Sequence, residues 1–313
     1  MCTQNCNNNC INMCAVNKQV KVVQFIHPGG EHQPSVRNIK NGKVIFPWNY
    51  GSHRRKYINT KGDYVDFNNN YYSNECLYFW GEWEPTSMVY PINPQPTGNN
   101  MPHYVHEPFF YPNQYPPYSV NGKNPTSYHR QNTDPFVFNE YFLYSLCKQD
   151  RYKVLKNLAP GSIILFGSPI GTRSNIPYFV LDTVFVVKDA IPYIPNNYQM
   201  CLRGLIPNNY DKIMGFADWN DNTPKYLYRG VSYKDRNDFC GMFSFVPCKI
   251  GSDGKAGFDR VILRHSNINY ITDNLSQGIK TTVTSINHNI KLWNDICDIV
   301  KQHNCQRGFN FKY

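Results

Sequence analysis

Two histidines and a glutamate bracket a pair of glycines at His27-Pro28-Gly29-Gly30-Glu31-His32. Imidazole and carboxylate groups hold divalent metals or trade protons near neutral pH, and adjacent glycines let a ligand approach the backbone closely. The order is neither the His-Glu-x-x-His of helical zinc proteases nor its inverse. A divalent metal or acid–base site on His27, Glu31 and His32 therefore competes with an ordinary hydrogen-bonded turn.

A second group runs Phe79-Trp80-Gly81-Glu82-Trp83-Glu84-Pro85. On a strand, Trp80, Glu82 and Glu84 would share one face and Phe79, Gly81 and Trp83 the other. Paired carboxylates can share a proton, a metal or the amino group of a base, and indoles stack on flat ligands. Acids salt-bridged beside a core strand account for the same residues. The densest basic run, His53-Arg54-Arg55-Lys56, is flanked by Trp48, Tyr50 and Tyr57. Guanidinium groups pair bidentately with phosphate while neighbouring rings stack on bases, although a charged edge strand is the simpler alternative. Asp134, in Asn132-Thr133-Asp134-Pro135-Phe136, reads as a cap with proline at the first position of a following helix. Asp182 stands inside the apolar run Phe179–Val187. A carboxylate there must be partnered or neutral, which makes it a node of a buried polar network or a functional acid.

The elements that must position these residues are mostly strands. β-branched residues at 20–26 predict the first, ending at the His-Pro-Gly-Gly turn, and further short strands are expected near 44–46, 55–57, 64–67 and 76–80. Prolines recur between 91 and 125, so that segment reads as a long loop; its many aromatic rings argue that it wraps over the sheet or forms a partner surface. Short helices are expected over 139–149 and 151–158. Strands at 162–167 and 178–187 follow, the second apolar enough to be central to a sheet. Later strands are expected at 226–233, 242–247 and 261–263. Ile286, Ile290, Trp293, Ile296 and Val300 predict a helix over 285–303.

The chain has 313 residues, 41% of them hydrophobic, enough for one large domain or two modest ones. A disordered leader at 1–19 and a single domain over 20–313 are expected, with a subdivision at 158/159 as the alternative. The fold class expected is α+β: a β-rich mixed sheet or small barrel with a few flanking helices. The leader carries Cys2, Cys6, Cys10 and Cys14 at four-residue spacing without the second ligand pair a zinc site needs. The other seven cysteines are scattered, which in a reducing compartment means buried thiols. A net charge of +10 favours an anionic partner. No apolar run reaches the ~18 residues of a membrane span, and no secretory signal opens the chain. A cytoplasmic protein, of a bacterial or infected host cell and without a membrane role, is expected.

Several blocks resemble an uncharacterised family of bacterial and phage proteins: residues 25–32, 79–85, 132–138, 160–168, 181–187, 241–245 and 270–275. That resemblance implies no activity. The pair Pro-Gly-Ser-Ile-Ile-Leu-Phe-Gly-Ser at 160–168 and Phe-Val-Leu-Asp-Thr-Val-Phe-Val-Val at 179–187 is similar to the strand pair of PUA-like barrels, some of which read modified bases. Gly161-Ser162 stands where those modules commonly have Gly-Asp.

Absent Walker, dinucleotide-binding and nucleophile-elbow motifs disfavour ATP hydrolysis, Rossmann redox chemistry and α/β-hydrolase chemistry. The expectation is non-catalytic binding of a nucleic acid or nucleotide in a basic, aromatic-lined pocket. Arg54, Arg55 and Lys56, with His53, would hold phosphate; Trp80 or Trp83 would stack; Glu82 or Glu84 would read exocyclic donors, with Asp134 and Asp182 as further members. The alternatives are a phage or mobile-element interaction protein that inhibits a host defence nuclease, and a metal-dependent enzyme acting on nucleotides.

Overall fold

A computed structural model of the chain describes residues 18–33, 44–46, 54–85, 87–98, 100–110, 133–170, 178–215, 221–276 and 278–313. The cysteine leader up to residue 17 and the segment 111–132 lie outside the described residues. Along the chain run β1 (Lys21–Ile26), β2 (Val44–Phe46), β3 (Lys56–Val65), β4 (Tyr71–Gly81), β5 (Ser87–Pro91), β6 (Tyr104–Pro108) and β7 (Leu143–Tyr144). Then come β8 (Ile163–Ile170), β9 (Tyr178–Tyr193), β10 (Lys225–Gly230), β11 (Val246–Ile250), β12 (Val261–Leu263), β13 (Ile279–Val283) and β14 (Gln306–Phe311). The long helix α1 (Ile286–Gln302) precedes the last strand. The fold is α+β and β-rich, with two mixed sheets.

The first sheet has the order β13-β1-β8-β9-β10-β7, with β12 also on β9. All six residues of β1 are buried, as expected of a strand flanked on both edges. It runs parallel to β8 and antiparallel to β13. β9 is longer than its sequence pattern predicts because it serves two partners in turn: its first half pairs β8 and β12, its second half pairs β10. The register of β8 against β9 shifts between Phe166 and Gly167. There a Cβ on Gly167 would lie 2.1 Å from Val180 O and 2.5 Å from Phe179 Cζ. Gly167→Ala is expected to destabilise the chain by about 2–3 kcal/mol through this overpacking. A urea midpoint within error of wild type would contradict the close approach.

The second sheet has the order β14-β11-β4-β3-β6-β5-β2, and β14 also pairs β3. That extra pairing closes β3, β4, β11 and β14 into a ring. Gly62 lets β14 come close: a Cβ there would lie 2.3 Å from Asn310 O. Both sheets draw strands from either side of residue 158. The bridge Val184↔Phe245 joins β9 to the segment leading into β11.

Three expectations need correction. Residues 139–149 form no helix, because Asn139, Glu140 and Lys148 adopt positive φ of 55°, 63° and 61°, and Leu143–Tyr144 pairs with β10 instead. Residues 151–158 make only a single 3-10 turn, Lys153–Lys156. The proline-rich stretch contains a regular strand, β6, paired along its length with β5; Pro102 and Pro108 sit before it and at its end, where a missing N–H is tolerated. The helix over 286–302 forms as the apolar spacing predicts, capped by Ser285, whose Oγ accepts from His288 N at 3.3 Å. Its buried face is centred on Leu292, Trp293, Ile296 and Val300, and the Trp293 indole donates to Phe243 O at 3.0 Å.

Candidate functional site

β1 delivers His27 to the edge of a buried polar cluster. The imidazole packs against Phe25 at 4.6 Å and Phe166 at 6.0 Å between ring centres, and its backbone N donates to Gly167 O at 2.8 Å. The turn beyond is tight: a Cβ on Gly29 would lie 2.2 Å from Pro169 O, and Gly30 has φ +89°. It folds back so that Arg55 N donates to Gly30 O and His32 N donates to Arg55 O, at 3.2 and 2.8 Å. The His-Pro-Gly-Gly-Glu-His turn is thereby stitched to the residues just ahead of β3, and Arg55 enters the interior.

Once inside, Arg55 lies between two acids. Its Nη2 donates to Glu82 Oε1, and its Nε is 3.7 Å from Asp182 Oδ2. Glu82 follows the last residue of β4 and also lies 3.3 Å from His27 Nδ1. Asp182, in the first half of β9, has Oδ1 3.8 Å from Arg260 Nη1. Arg260 precedes β12, and its guanidinium covers the Trp80 ring at 4.2 Å. Basic and acidic side chains thus alternate along His27, Glu82, Arg55, Asp182 and Arg260, all at most 5% exposed. Burial pulls Arg55 down to about 10 against the pull of Asp182, and it raises Asp182 despite both arginines. At the far end, Cys147 Sγ faces His27 Nε2 at 3.8 Å.

The remaining sequence-selected residues divide. Arg54 is exposed, whereas Arg55 and Lys56 are each 1% exposed, so these three do not form one phosphate-facing surface. Burial pushes Lys56 down to about 8, with Glu84 acting against it. His53 lies outside the described residues. The alternating strand geometry stops at Gly81, and the residues after it turn inward together: Glu82, Trp83 and Glu84 are all buried. Trp83 packs on Phe138 and Tyr313 at 4.8 and 5.1 Å, with no exposed face for a base. Asp134 caps no helix of its own. It accepts from Ser145 N, Leu146 N and Cys147 N at 2.7–3.2 Å, fixing the turn that carries Cys147. Burial still pushes it up to about 6, with these donors pulling it back.

The metal-ligand candidates take different partners. Glu31 accepts from His103 N and Tyr104 N at 2.8 and 2.9 Å and lies 2.8 Å from His103 Nδ1. His27 faces Glu82, and His32 is buried beside His106, whose Nε2 lies 3.3 Å from His32 O. Among the described residues, no group of three or more His, Cys, Asp or Glu side chains is placed to hold a metal ion.

A cavity of about 110 Å³ adjoins the Arg260 end of the cluster, lined by Gly30, Glu31, Trp80, Asn100, His103 and Arg260 among others. Asn100 and Arg260 are 8% and 2% exposed. Neither amide atom of Asn100, nor Nε or Nη1 of Arg260, has a hydrogen-bond partner among the described residues. A larger, open cleft of about 640 Å³ near α1 is lined by Arg236 and Arg307, whose guanidinium groups already stack on Tyr233 at 3.9 Å and Phe67 at 5.0 Å. The smaller cavity is the better candidate because the sequence-selected turn and tryptophan meet there beside unsatisfied polar groups.

Sequence reading missed Arg260, Asn100 and His103, which stand in no recognisable motif. It also treated Cys147 as one of the scattered buried thiols. The half-buried Cys147 had a signal only in three dimensions, where Asp134 and His27 converge on it. Comparison with protein-family models, with curated proteins and with solved structures finds nothing that matches this chain. No helix among the described residues is long and apolar enough to cross a membrane.

Proposed function

We propose that this chain binds a nucleotide or a base of a nucleic acid, with the flat polar end of the ligand held in the cavity at Trp80, Asn100 and Arg260. One observation carries this reading: a primary amide and a guanidinium, both nearly buried and both with atoms that lack a hydrogen-bond partner among the described residues, line the same small cavity as an indole. Buried polar groups are ordinarily satisfied. An amide offering a donor and an acceptor side by side suits the edge of a base, and the guanidinium suits a carbonyl or ring nitrogen. At about 110 Å³ the cavity is smaller than the roughly 300 Å³ at which whole-ligand pockets begin. Only the heterocycle would enter, leaving sugar and phosphate outside, where the net charge of +10 favours them.

Quenching of tryptophan fluorescence by the four nucleoside monophosphates and by a short single-stranded oligonucleotide tests the proposal. Asn100→Ala and Arg260→Gln are each expected to weaken binding roughly tenfold, the size of one lost bidentate contact. Affinity for the oligonucleotide is expected to fall with salt. If none of these ligands binds the wild-type chain below millimolar concentration, the reading fails.

A further inference from the structure

The polar cluster has a second working end, at Cys147. We propose that Cys147 is a nucleophile, with His27 as its base and Glu82 as the carboxylate that orients the imidazole, and that the chain forms a thioester on Cys147 from an ester or amide substrate. The inference goes beyond nucleotide binding and stands or falls separately from it.

The geometry brings together the three parts that activate a weak nucleophile. Cys147 Sγ is 3.8 Å from His27 Nε2, and the opposite ring nitrogen, Nδ1, is within ion-pair distance of Glu82 Oε1 at 3.3 Å, outside hydrogen-bond geometry in this arrangement. Each member is held from behind. Cys147 N donates to Asp134 Oδ2 at 2.8 Å, and the Tyr144 hydroxyl donates to Cys147 O at 2.7 Å. His27 is fixed through its backbone by Gly167 and through its ring by Phe25 and Phe166; Glu82 is fixed by Arg55. Cys147 is also half-buried rather than sealed, unlike Cys201, Cys248, Cys297 and Cys305. The proposal requires a substrate to reach the sulfur from this partly exposed side while the base and its orienting acid stay buried.

Burial pushes the Cys147 thiol up to about 12, with Asp134 adding to the effect and Lys148 and Arg55 opposing it. At neutral pH the group is consequently a thiol, and attack requires a base at the moment of reaction. The Sγ proton passes to His27 Nε2 as sulfur bonds to the carbonyl carbon. Collapse of the tetrahedral adduct breaks the bond to the alcohol or amine, which leaves with the proton from His27. Water then attacks the thioester, giving a proton to His27; the carboxylic acid departs and the proton returns to Sγ. The positive charges of Lys148 and Arg55 favour the negative charge that develops beside the sulfur.

The test uses p-nitrophenyl acetate with the full chain. A burst of about one p-nitrophenolate per chain is expected, with the acetyl group mapped to Cys147 by peptide mass spectrometry. Cys147→Ser should abolish the burst, and His27→Ala should slow it about 100-fold or more. Glu82→Gln keeps an acceptor but loses the charge, so kcat should fall roughly tenfold or more with KM little changed. A change in packing alone would instead lower the fraction of active chains. Protection of the buried Cys248 and Cys305 from N-ethylmaleimide reports that each variant is folded; should His27→Ala expose them, His27→Gln takes its place. Acetylation of other residues without Cys147, or the same acetylation rate with and without the imidazole, would overturn the proposal.

Discussion

Replacing Asp182 by asparagine is expected to destabilise this chain by about 3–5 kcal/mol, the cost of stranding buried charge. The carboxylate lies 3.7 Å from Arg55 Nε and 3.8 Å from Arg260 Nη1, and none of the three side chains is more than 2% exposed. Arg55 would keep Glu82 as a partner. Among the described residues, Arg260 would keep the Trp80 face and the more distant charge of Glu31. Most of the loss should therefore trace to Arg260, and Asp182→Asn combined with Arg260→Met should recover a substantial part of it. Urea unfolding of the two single variants and the double variant measures this coupling. A single-variant loss under ~1 kcal/mol would mean that water reaches the cluster freely and that it is no closed network.

Alkali is expected to destabilise the protein in part through its buried thiols. Burial pushes Cys297 and Cys305 up to about 12 and Cys248 well above the ordinary value of 9.0. Between pH 9 and 12 the unfolded chain has lost these protons while the folded chain keeps them, so stability falls as pH rises. At pH 10 Cys297 and Cys305 each contribute a loss of about 1.4 kcal/mol, about 3 kcal/mol for the pair, with Cys248 acting in the same direction, against the 5–15 kcal/mol typical of a domain. Lys56 acts in the other direction. Its folded value is about 8 against 10.5 unfolded, so the folded state is relieved of a buried charge as pH rises through that window. The thiol contribution is isolated by comparing wild type with the triple variant Cys248→Ala, Cys297→Ala, Cys305→Ala. The stability difference between the two should narrow by at least about 3 kcal/mol from pH 8 to pH 10. Parallel stability curves would show that the thiols are not desolvated.

The frame was readable in the sequence where one local pattern dominates. β1, β9 and α1 announce themselves by apolar runs or helical spacing; β1 and α1 form close to the expected bounds, while β9 starts where expected and runs on to Tyr193. The pattern misleads where tertiary partners decide. Residues 139–149 carry helix-like spacing, yet Asp134 takes the amides of the turn at 145–147 and β10 takes Leu143–Tyr144. The candidate site was half legible for the same reason. His27, Arg55, Glu82 and Asp182 stand out as polar residues in apolar or turn-forming contexts, and they do meet. Their meeting place is interior, which no one-dimensional reading of Arg54-Arg55-Lys56 could distinguish from a charged edge. Arg260, Asn100 and Cys147 join only because β12 docks on β9, the β5–β6 pair lies over the turn, and Asp134 folds its own loop.

The pairing of β14 with β3 makes the order of synthesis matter. Val65 and Arg307, neighbours in the finished ring, are separated by about 240 residues. A ribosome adding 5–20 residues per second would leave the β3–β4 ribbon without its last neighbour for roughly ten to fifty seconds. Throughout that interval the nascent ribbon presents an unpaired backbone edge, the kind of template that recruits a strand from another chain. Slowing initiation, so that fewer incomplete chains coexist on a polysome, should therefore raise the soluble yield more than slowing elongation does.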